Sequence, residues 1–583
     1  MLEIIGKLET VEHFFIKGIS EIFELGFLII PILLLMLFVY DRYVQRKHQL
    51  LVHYPIIGRM RYVFEALREP MRQYFANEAF YDSRDKIDWV YKAAKNIPNF
   101  MSFSLTQPFN GSRFIVKHSS HVLNESEVNQ DLGITFGPTR TKPFKSKTPI
   151  IRSAMSDGAL SPEGIRAFAM GATMGHFPVN TGEGGLTSNF FYTHRPDTKN
   201  MKYLETVSGT WFAELAFKLA AFFFNRGVAI KIYRRILLHS KTENTFLYDP
   251  VSHLLFRINW DAPLSAFPQE VPSDMPDIVF QIGSGLYGVR DKEGKFDFDR
   301  YAKVIRFCRM TEIKIAQGAK QTGGKLAAEK VSDDIAYYRG VEAHKNLISP
   351  NRFPFASNDE DLLDFIAKLQ DISLKPVGMK IVISDDANVR SLAETMSDRK
   401  RAQKSNPDFI TVDSGDGGSA TAPLELMGAV GLTTLNALYI LDTVMKDYGL
   451  RDDLKLIASG KILTPDDVVI TLCMGADAVG IARGFMMSAG CIRARMCAGT
   501  GSHHCPVGLA TQNPVLRASY LVLRKAGEIA NYHNNLLKGI KNMLAVMGIQ
   551  NITDLGRNNL TFKNENGEIY FDVNIYFHQK FHH

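Results

Sequence analysis

At 583 residues, with 45% hydrophobic and 22% charged side chains, the chain can bury one large core with attachments, and its composition argues against a disordered majority. Its formal charge of +7 is spread along the sequence, and no basic block interleaves with aromatics, which argues against nucleic acid as a partner. Five cysteines, three of them between positions 491 and 505, speak against a secreted disulfide framework and for a reducing compartment.

The first distinctive element is the uncharged run Leu25 to Tyr40, LGFLIIPILLLMLFVY, which reaches a bilayer-spanning length when extended back through Ile19 to Phe23. It reads as one transmembrane helix, beginning too far from Met1 for an ordinary signal peptide. Glu21 and Glu24 precede it, and Arg42, Arg46, Lys47 and His48 follow it. That bias predicts a single-pass protein of the inner (cytoplasmic) membrane with everything after the span in the cytoplasm. A buried core helix is the alternative. Residues 1–45 are thus expected to be a membrane anchor, and 46–149 an N-terminal subdomain without an assignable motif.

After Pro149, β-branched runs alternate with glycine-rich turns and helical stretches. The runs are Ile150–Ser153, Ile278–Gln281, Ile313–Ala316, Lys380–Ile383, Phe409–Val412, Lys455–Ala458 and Ala478–Ile481. Strands at helix-length spacing predict a parallel sheet, and this many units predict closure. The expected fold is α/β, a (β/α)8 TIM-type barrel over 150–515, with an N-terminal transmembrane helix and small flanking subdomains. The stretch from about 187 to 275 is too long for a βα loop and reads as an insertion. Within it, Trp211 to Phe224 (WFAELAFKLAAFFF) carries Glu214 and Lys218 and is too short to span a bilayer. It reads as an interfacial helix or, nearly as well, as an amphipathic core helix. Residues 516–583 read as a helical extension, with Ala518 to Met547 its main helix.

Barrels of this kind place their chemistry on the loops after the strands and grip phosphate after the last two. Ser414, Gly415, Asp416, Gly417 and Gly418 follow one strand, Ser459, Gly460 and Lys461 the next, and Ala482, Arg483 and Gly484 the last. Their glycines let backbone N–H groups approach an anion, so together these loops could hold a flavin's phosphate. Lys380 could set a cation beside the flavin ring. Gly283-Ser284-Gly285-Leu286-Tyr287-Gly288 imitates a dinucleotide fingerprint, but the charged turn from Arg290 to Lys295 stands where an apolar helix should begin. Cys491, Cys497 and Cys505 suggest an iron–sulfur ligand set. A metal-free reduced loop is the alternative, with His503 or His504 as a remote substitute ligand. Cys308 and Cys473 read as small buried apolar residues.

Four segments carry a resemblance: Asn180-Thr-Gly-Glu-Gly-Gly185, Glu312-Ile-Lys-Ile-Ala-Gln-Gly-Ala-Lys320, Ser414-Gly-Asp-Gly-Gly418 and Cys505-Pro-Val-Gly-Leu-Ala-Thr-Gln512. They resemble, in order and over about 150–515, the FMN-binding synthase domain of glutamate synthase. The likeness is greatest to the stand-alone, membrane-anchored type. The resemblance implies that reduced FMN delivers hydride to 2-iminoglutarate, formed from 2-oxoglutarate and ammonia, giving L-glutamate. An amine as nitrogen donor would give an N-substituted glutamate instead. It implies that Lys314, Gln317 and Arg339 hold 2-oxoglutarate and that Glu183 positions ammonia or moves a proton. It also implies that Ser153, Ala154, Met155 and Ser156 lie against the flavin, that Gln281 meets its edge, and that Lys380 stands by it. The three cysteines correspond to ligands of a 3Fe–4S cluster, although the gaps here are five and seven residues and the family's second gap is shorter. Ferredoxin or a reductase subunit is the implied electron donor, and a homo-oligomer is possible. No cysteine precedes Cys308, so no glutaminase nucleophile is expected, and the tail is too short for the family's β-helix. A second reading is a non-catalytic FMN and iron–sulfur electron-transfer or sensing component of a membrane complex.

Overall fold

Each of the seven β-branched runs contributes residues to a strand in the computed structural model, and an eighth strand joins them to close a barrel. The structure describes residues 29–45, parts of 51–67, 83–99, 113–194 and most of 202–581. Within the last span 208–210, most of 225–254, 319–322, 416, 424, 499–503 and 518 lie outside the described residues. The barrel strands are β1 (Ile150–Arg152), β2 (Val179–Asn180), β3 (Ile278–Ile282), β4 (Met310–Lys314), β5 (Val377–Ile381), β6 (Phe409–Asp413), β7 (Lys455–Ser459) and β8 (Ala478–Ile481). All neighbours are parallel, and β8 closes onto β1 with Val479 opposite Ile150 and Ile481 opposite Arg152.

Helices fill the connections: α1 (Pro162–Gly175), α2 (Phe298–Val304), α3 (Asp333–Arg339), α4 (Asp359–Ser373), α5 (Ala387–Arg401), α6 (Thr434–Asp447), α7 (Pro465–Cys473) and α8 (Arg483–Ser488). Local sequence starts and stops them. Ser161 caps α1 by accepting from the Gly164 N–H, with Pro162 in the first turn, and left-handed His176 ends it. Thr464 and Asp467 form a reciprocal capping box at α7. The long α9 (Val522–Met547) runs against α1, where a side chain at Gly171 would meet Ile529 at 2.7 Å.

Because strand side chains alternate, Met310, Glu312 and Lys314 of β4 form three successive inward levels. At the N-terminal ends of the strands a hairpin, Ile134–Phe136 with Phe144–Ser146, plugs the barrel. Its Phe136 and Phe144 form a buried cluster with Ile151, Val279, Met310 and Phe409, and the Phe136 and Phe409 rings meet edge-on at 5.7 Å. One level up, Glu312 accepts from Asn180 Nδ2 (2.8 Å), Gln281 Nε2 (2.6 Å) and Thr411 Oγ1 (2.5 Å), so a buried carboxylate is fully hydrogen-bonded. The third level opens at the mouth.

Between β2 and β3 the chain builds an antiparallel sheet in which Leu204–Val207 and Leu247–Tyr248 flank Leu255–Ile258. The helix expected here forms over Trp211–Phe223, with Trp211, Phe212, Phe222 and Phe223 at the surface rather than in a core. Arg113–Val116 pairs with Leu560–Lys563, so the segment before the barrel and the tail after α9 share one sheet.

The chain divides into two compact units, 1–77 and 78–583. The expectation of a transmembrane helix, and with it of a single-pass membrane location, is corrected by the first of them. Among the described residues no helix is long and apolar enough to cross a membrane. The described part of the apolar run, 29–40, is helical. The helix then tightens into a π-turn over Tyr40–Val44 that buries Asp41, whose carboxylate takes the Arg59 guanidinium at 2.5 and 2.9 Å. The upstream part of the run, 19–28, lies outside the described residues.

Candidate active site

A cavity of about 630 Å³ opens at the C-terminal mouth of the barrel, within the size range of cofactor and small-molecule sites. Ser153, Ala154, Met155 and Ser156 after β1, Gly182 and Glu183 after β2, Gln281 of β3, Lys314 and Gln317 at β4, and Lys380 of β5 all line it. So do Gly417 and Gly418 after β6, Ser459, Gly460 and Lys461 at β7, Ala482 and Arg483 after β8, and Arg339 at the end of α3. Three of the expected anion-loop residues lie elsewhere. Ser414 is fully buried, Gly415 packs against the Gly431 backbone, and a side chain at Gly484 would strike the Tyr532 hydroxyl at 2.0 Å. Asp416 lies outside the described residues.

On one side of the cavity, Lys314 Nζ donates to Glu183 Oε2 and to Gln317 Oε1, both at 3.0 Å. Glu183 is seated by two glycines on neighbouring loops: a side chain at Gly283 would lie 2.5 Å from Oε2, and one at Gly324 would lie 2.4 Å from Oε1. The glycine run after β3 is therefore built for close approach, with Gly283 against Glu183 and Gly288 against Gly185. Arg339 is buried; its Nη2 donates to the Asp157 carbonyl (3.0 Å) and its guanidinium lies over the Tyr287 ring at 5.2 Å, while Nε meets no acceptor among the described residues. Tyr287 also lines the cavity and was invisible in the sequence, where it sat inside the misleading glycine motif.

Two of the cavity's lysines shift in opposite directions. Burial drives the Lys314 ammonium below its ordinary pKa, offset only in part by Glu183. Burial opposes Lys380 too, but the carboxylates of Asp413, Glu312 and Glu183 outweigh it and raise its pKa. Asp413, another residue the sequence did not single out, stands 3.6 Å from Lys380 Nζ and accepts from the Gly318 N–H at 3.2 Å.

Cations dominate the lining: among the described residues Lys314, Lys325, Lys330, Arg339, Lys380, Lys461, Arg483, Arg493 and Arg495 line it, with Glu183 and Asp413 as the acids. Such a wall suits a phosphate together with a dicarboxylate. The residues therefore fit FMN: the volume is adequate, the glycines leave a cradle, and basic side chains outnumber acidic ones on the described lining.

The cysteine loop fits its metal less well. Cys491 and Cys497 line the outer end of the cavity and Cys505 is buried beside it. Lys330 Nζ donates to the Cys497 carbonyl at 2.7 Å and Tyr91 Oη to the Cys491 carbonyl at 2.8 Å. Burial first, and then the neighbouring thiols, push the Cys491 thiol up to about 12. Among the described residues no group of three His, Cys, Asp or Glu side chains is arranged to hold a metal ion.

Residues 87–550 match the family model described as the conserved region in glutamate synthase. A Bacillus subtilis (strain 168) protein described as glutamate synthase large subunit-like, YerD, is 30% identical over 94% of this chain and 96% of its own length. An archaeal glutamate synthase [NADPH] of Methanocaldococcus jannaschii is 30% identical over 48% of this chain and 51% of its length. A ferredoxin-dependent glutamate synthase of Pyropia yezoensis is 31% identical over 49% of this chain, which corresponds to 17% of that much longer protein.

Proposed function

The chain belongs to the glutamate synthase family, and from that premise we propose that it is an FMN-dependent oxidoreductase that reductively aminates 2-oxoglutarate to L-glutamate or an N-substituted glutamate. The observation that carries this reading is the convergence of Lys314, Gln317, Glu183 and Arg339 on one cavity wall. A flavin carrier that made no amino acid would have no use for two buried cations and a seated carboxylate beside its cofactor.

FMN would be held by the Ser153–Ser156 segment, Gln281, Lys380 and the loops at Gly417, Gly460 and Arg483; once reduced, it would supply the reducing equivalents. The protein's part is binding, orientation and protons. Arg339 presents a planar fork to one substrate carboxylate, and Lys314 a point charge to the other end. Because burial strains the Lys314 charge, an arriving carboxylate gains more there than at an exposed lysine. Gln317, already accepting from Lys314, keeps its amide N–H groups for the substrate. Glu183, fixed between Gly283 and Gly324, receives the proton of ammonia or amine as the new C–N bond forms. No step is assigned to an iron–sulfur cluster. Assay of iron and acid-labile sulfide after anaerobic purification decides that point, a flavin-only spectrum without iron rejecting the cluster.

The proposal is tested by titrating FMN-loaded protein with 2-oxoglutarate. The expected result is a saturable change in the flavin spectrum. A spectrum indifferent to 2-oxoglutarate and to other small diacids removes the substrate assignment.

A further inference from the structure

The barrel wall behind the cavity contains a charge that neither the fold nor the proposed reaction explains. Arg152, the last residue of β1, is with Arg517 the largest fully buried side chain among the described residues. Its neighbour Ile151 faces the barrel interior, so Arg152 points outward to α1, where its guanidinium stacks over Phe168 at 5.1 Å. Nη1 donates to the carbonyls of Ser153 (3.0 Å) and Met155 (3.1 Å). Nε and Nη2 meet no acceptor among the described residues. Burial alone acts on its pKa, pushing it down to about 9, with no carboxylate to offset the cost. Two other buried arginines hold acids: Arg517 holds Glu163 at 2.8 and 3.0 Å, and Arg399 holds Glu360 and Asp364. A cation desolvated without an acid costs several kcal/mol, which two carbonyl hydrogen bonds and one aromatic face offset only in part.

We propose that Arg152 is a positioning residue of the flavin site, pinning the Ser153–Met155 wall and supplying, one peptide layer behind it, a counter-charge for the bound flavin as it is reduced. This rests on the FMN reading above. The mechanism is geometric and electrostatic together. With the Ser153 and Met155 carbonyls turned back to the guanidinium, the segment facing the cavity is fixed, and the N–H groups of Ala154 and Met155 are left without an acceptor among the described residues. A fixed positive charge in a dry wall favours the form of the ligand that carries more negative charge, here the reduced one.

The test compares wild-type protein with Arg152→Gln and Arg152→Lys. FMN affinity is read by fluorescence quenching, the midpoint potential of bound FMN by dye equilibration, and folding by circular dichroism. Arg152→Gln is expected to bind FMN at least about tenfold more weakly, the scale of one charged hydrogen bond, and to move the potential negative. Arg152→Lys is expected to restore the potential and only part of the affinity. A folded Arg152→Gln protein with wild-type affinity and potential overturns the proposal. If Arg152→Gln does not fold, the wild-type potential decides: bound FMN is expected above free FMN, and a value at or below it overturns the role. Wild-type protein that takes up no FMN removes instead the reading on which this one rests.

Discussion

The two ends of the barrel are made from the same strands and opposite chemistry. At the N-terminal end Phe136, Phe144, Met310 and Phe409 fill the interior with apolar surface and no charge. Four residues further along the same strands, Lys314 and Asp413 stand in a cavity walled by cations. The difference teaches that stability and chemistry are separated by a few levels of side chains, with the hydrogen-bonded Glu312 layer between them. Burial is common to both ends; what differs is whether the buried side chains carry charge.

That separation can be broken most forcefully from below. Phe409→Ala deletes the ring that meets Phe136 and is expected to cost about 3–5 kcal/mol, seen as a large drop in the unfolding midpoint while FMN affinity is kept. Loss of FMN binding in a protein still folded at the assay temperature would show that the ends are coupled.

A histidine outside the cavity sharpens the electrostatic half of the comparison. His533 is buried against Phe177 and has no acid partner, so burial depresses its pKa to about 4. The folded state therefore resists a proton that the unfolded state accepts near 6.5. Stability is full above that pH and falls as pH drops from 6.5 toward 4, by on the order of 3 kcal/mol. Denaturant midpoints measured across this window should lose that slope in His533→Gln. An unchanged slope would mean that His533 is not the group responsible.

At the mouth the effects are expected in turnover rather than stability. Gly324→Ala would place a methyl group 2.4 Å from Glu183 Oε1, and a displaced carboxylate is expected to lower turnover about 100-fold with little change in the unfolding midpoint. Turnover within a few-fold of wild type would show that the seat between Gly283 and Gly324 is not required. Arg339→Ala is expected to weaken 2-oxoglutarate binding by roughly 1.5–3 kcal/mol with FMN still in place. Equal affinity would remove Arg339 from the substrate site.

The same contrast explains what could be read in the sequence. Strands that open on an apolar or β-branched run stood out: β8 matches its expected run end to end, and β1, β3, β6 and β7 differ by one residue. The runs expected at Ile313 and Lys380 were set three residues late, because β4 and β5 begin with Met310-Thr311-Glu312 and Val377-Gly378-Met379, where a buried acid and a glycine break the apolar pattern. β2 escaped notice altogether, being two residues wedged between a helix end and the Thr181-Gly182 turn. Glycine-marked loops showed where the mouth would be, and the family resemblance named Lys314, Gln317 and Arg339. Tyr287, Asp413 and Arg152 were not legible, since what sets them apart is the partner across the cavity or its absence, and no local spacing records that. The N-terminal run misled because hydropathy measures apolar length, whereas among the described residues no helix is long and apolar enough to cross a membrane.

The central claim is that this cavity reduces an imine of 2-oxoglutarate at the expense of FMN. FMN-loaded protein, photoreduced without oxygen, is mixed with 2-oxoglutarate and ammonia or a primary amine while flavin absorbance is followed and products are identified. The account predicts that the oxidised flavin spectrum returns as glutamate or its N-substituted relative forms in equal amount. A flavin that stays reduced with every amine supplied would contradict it.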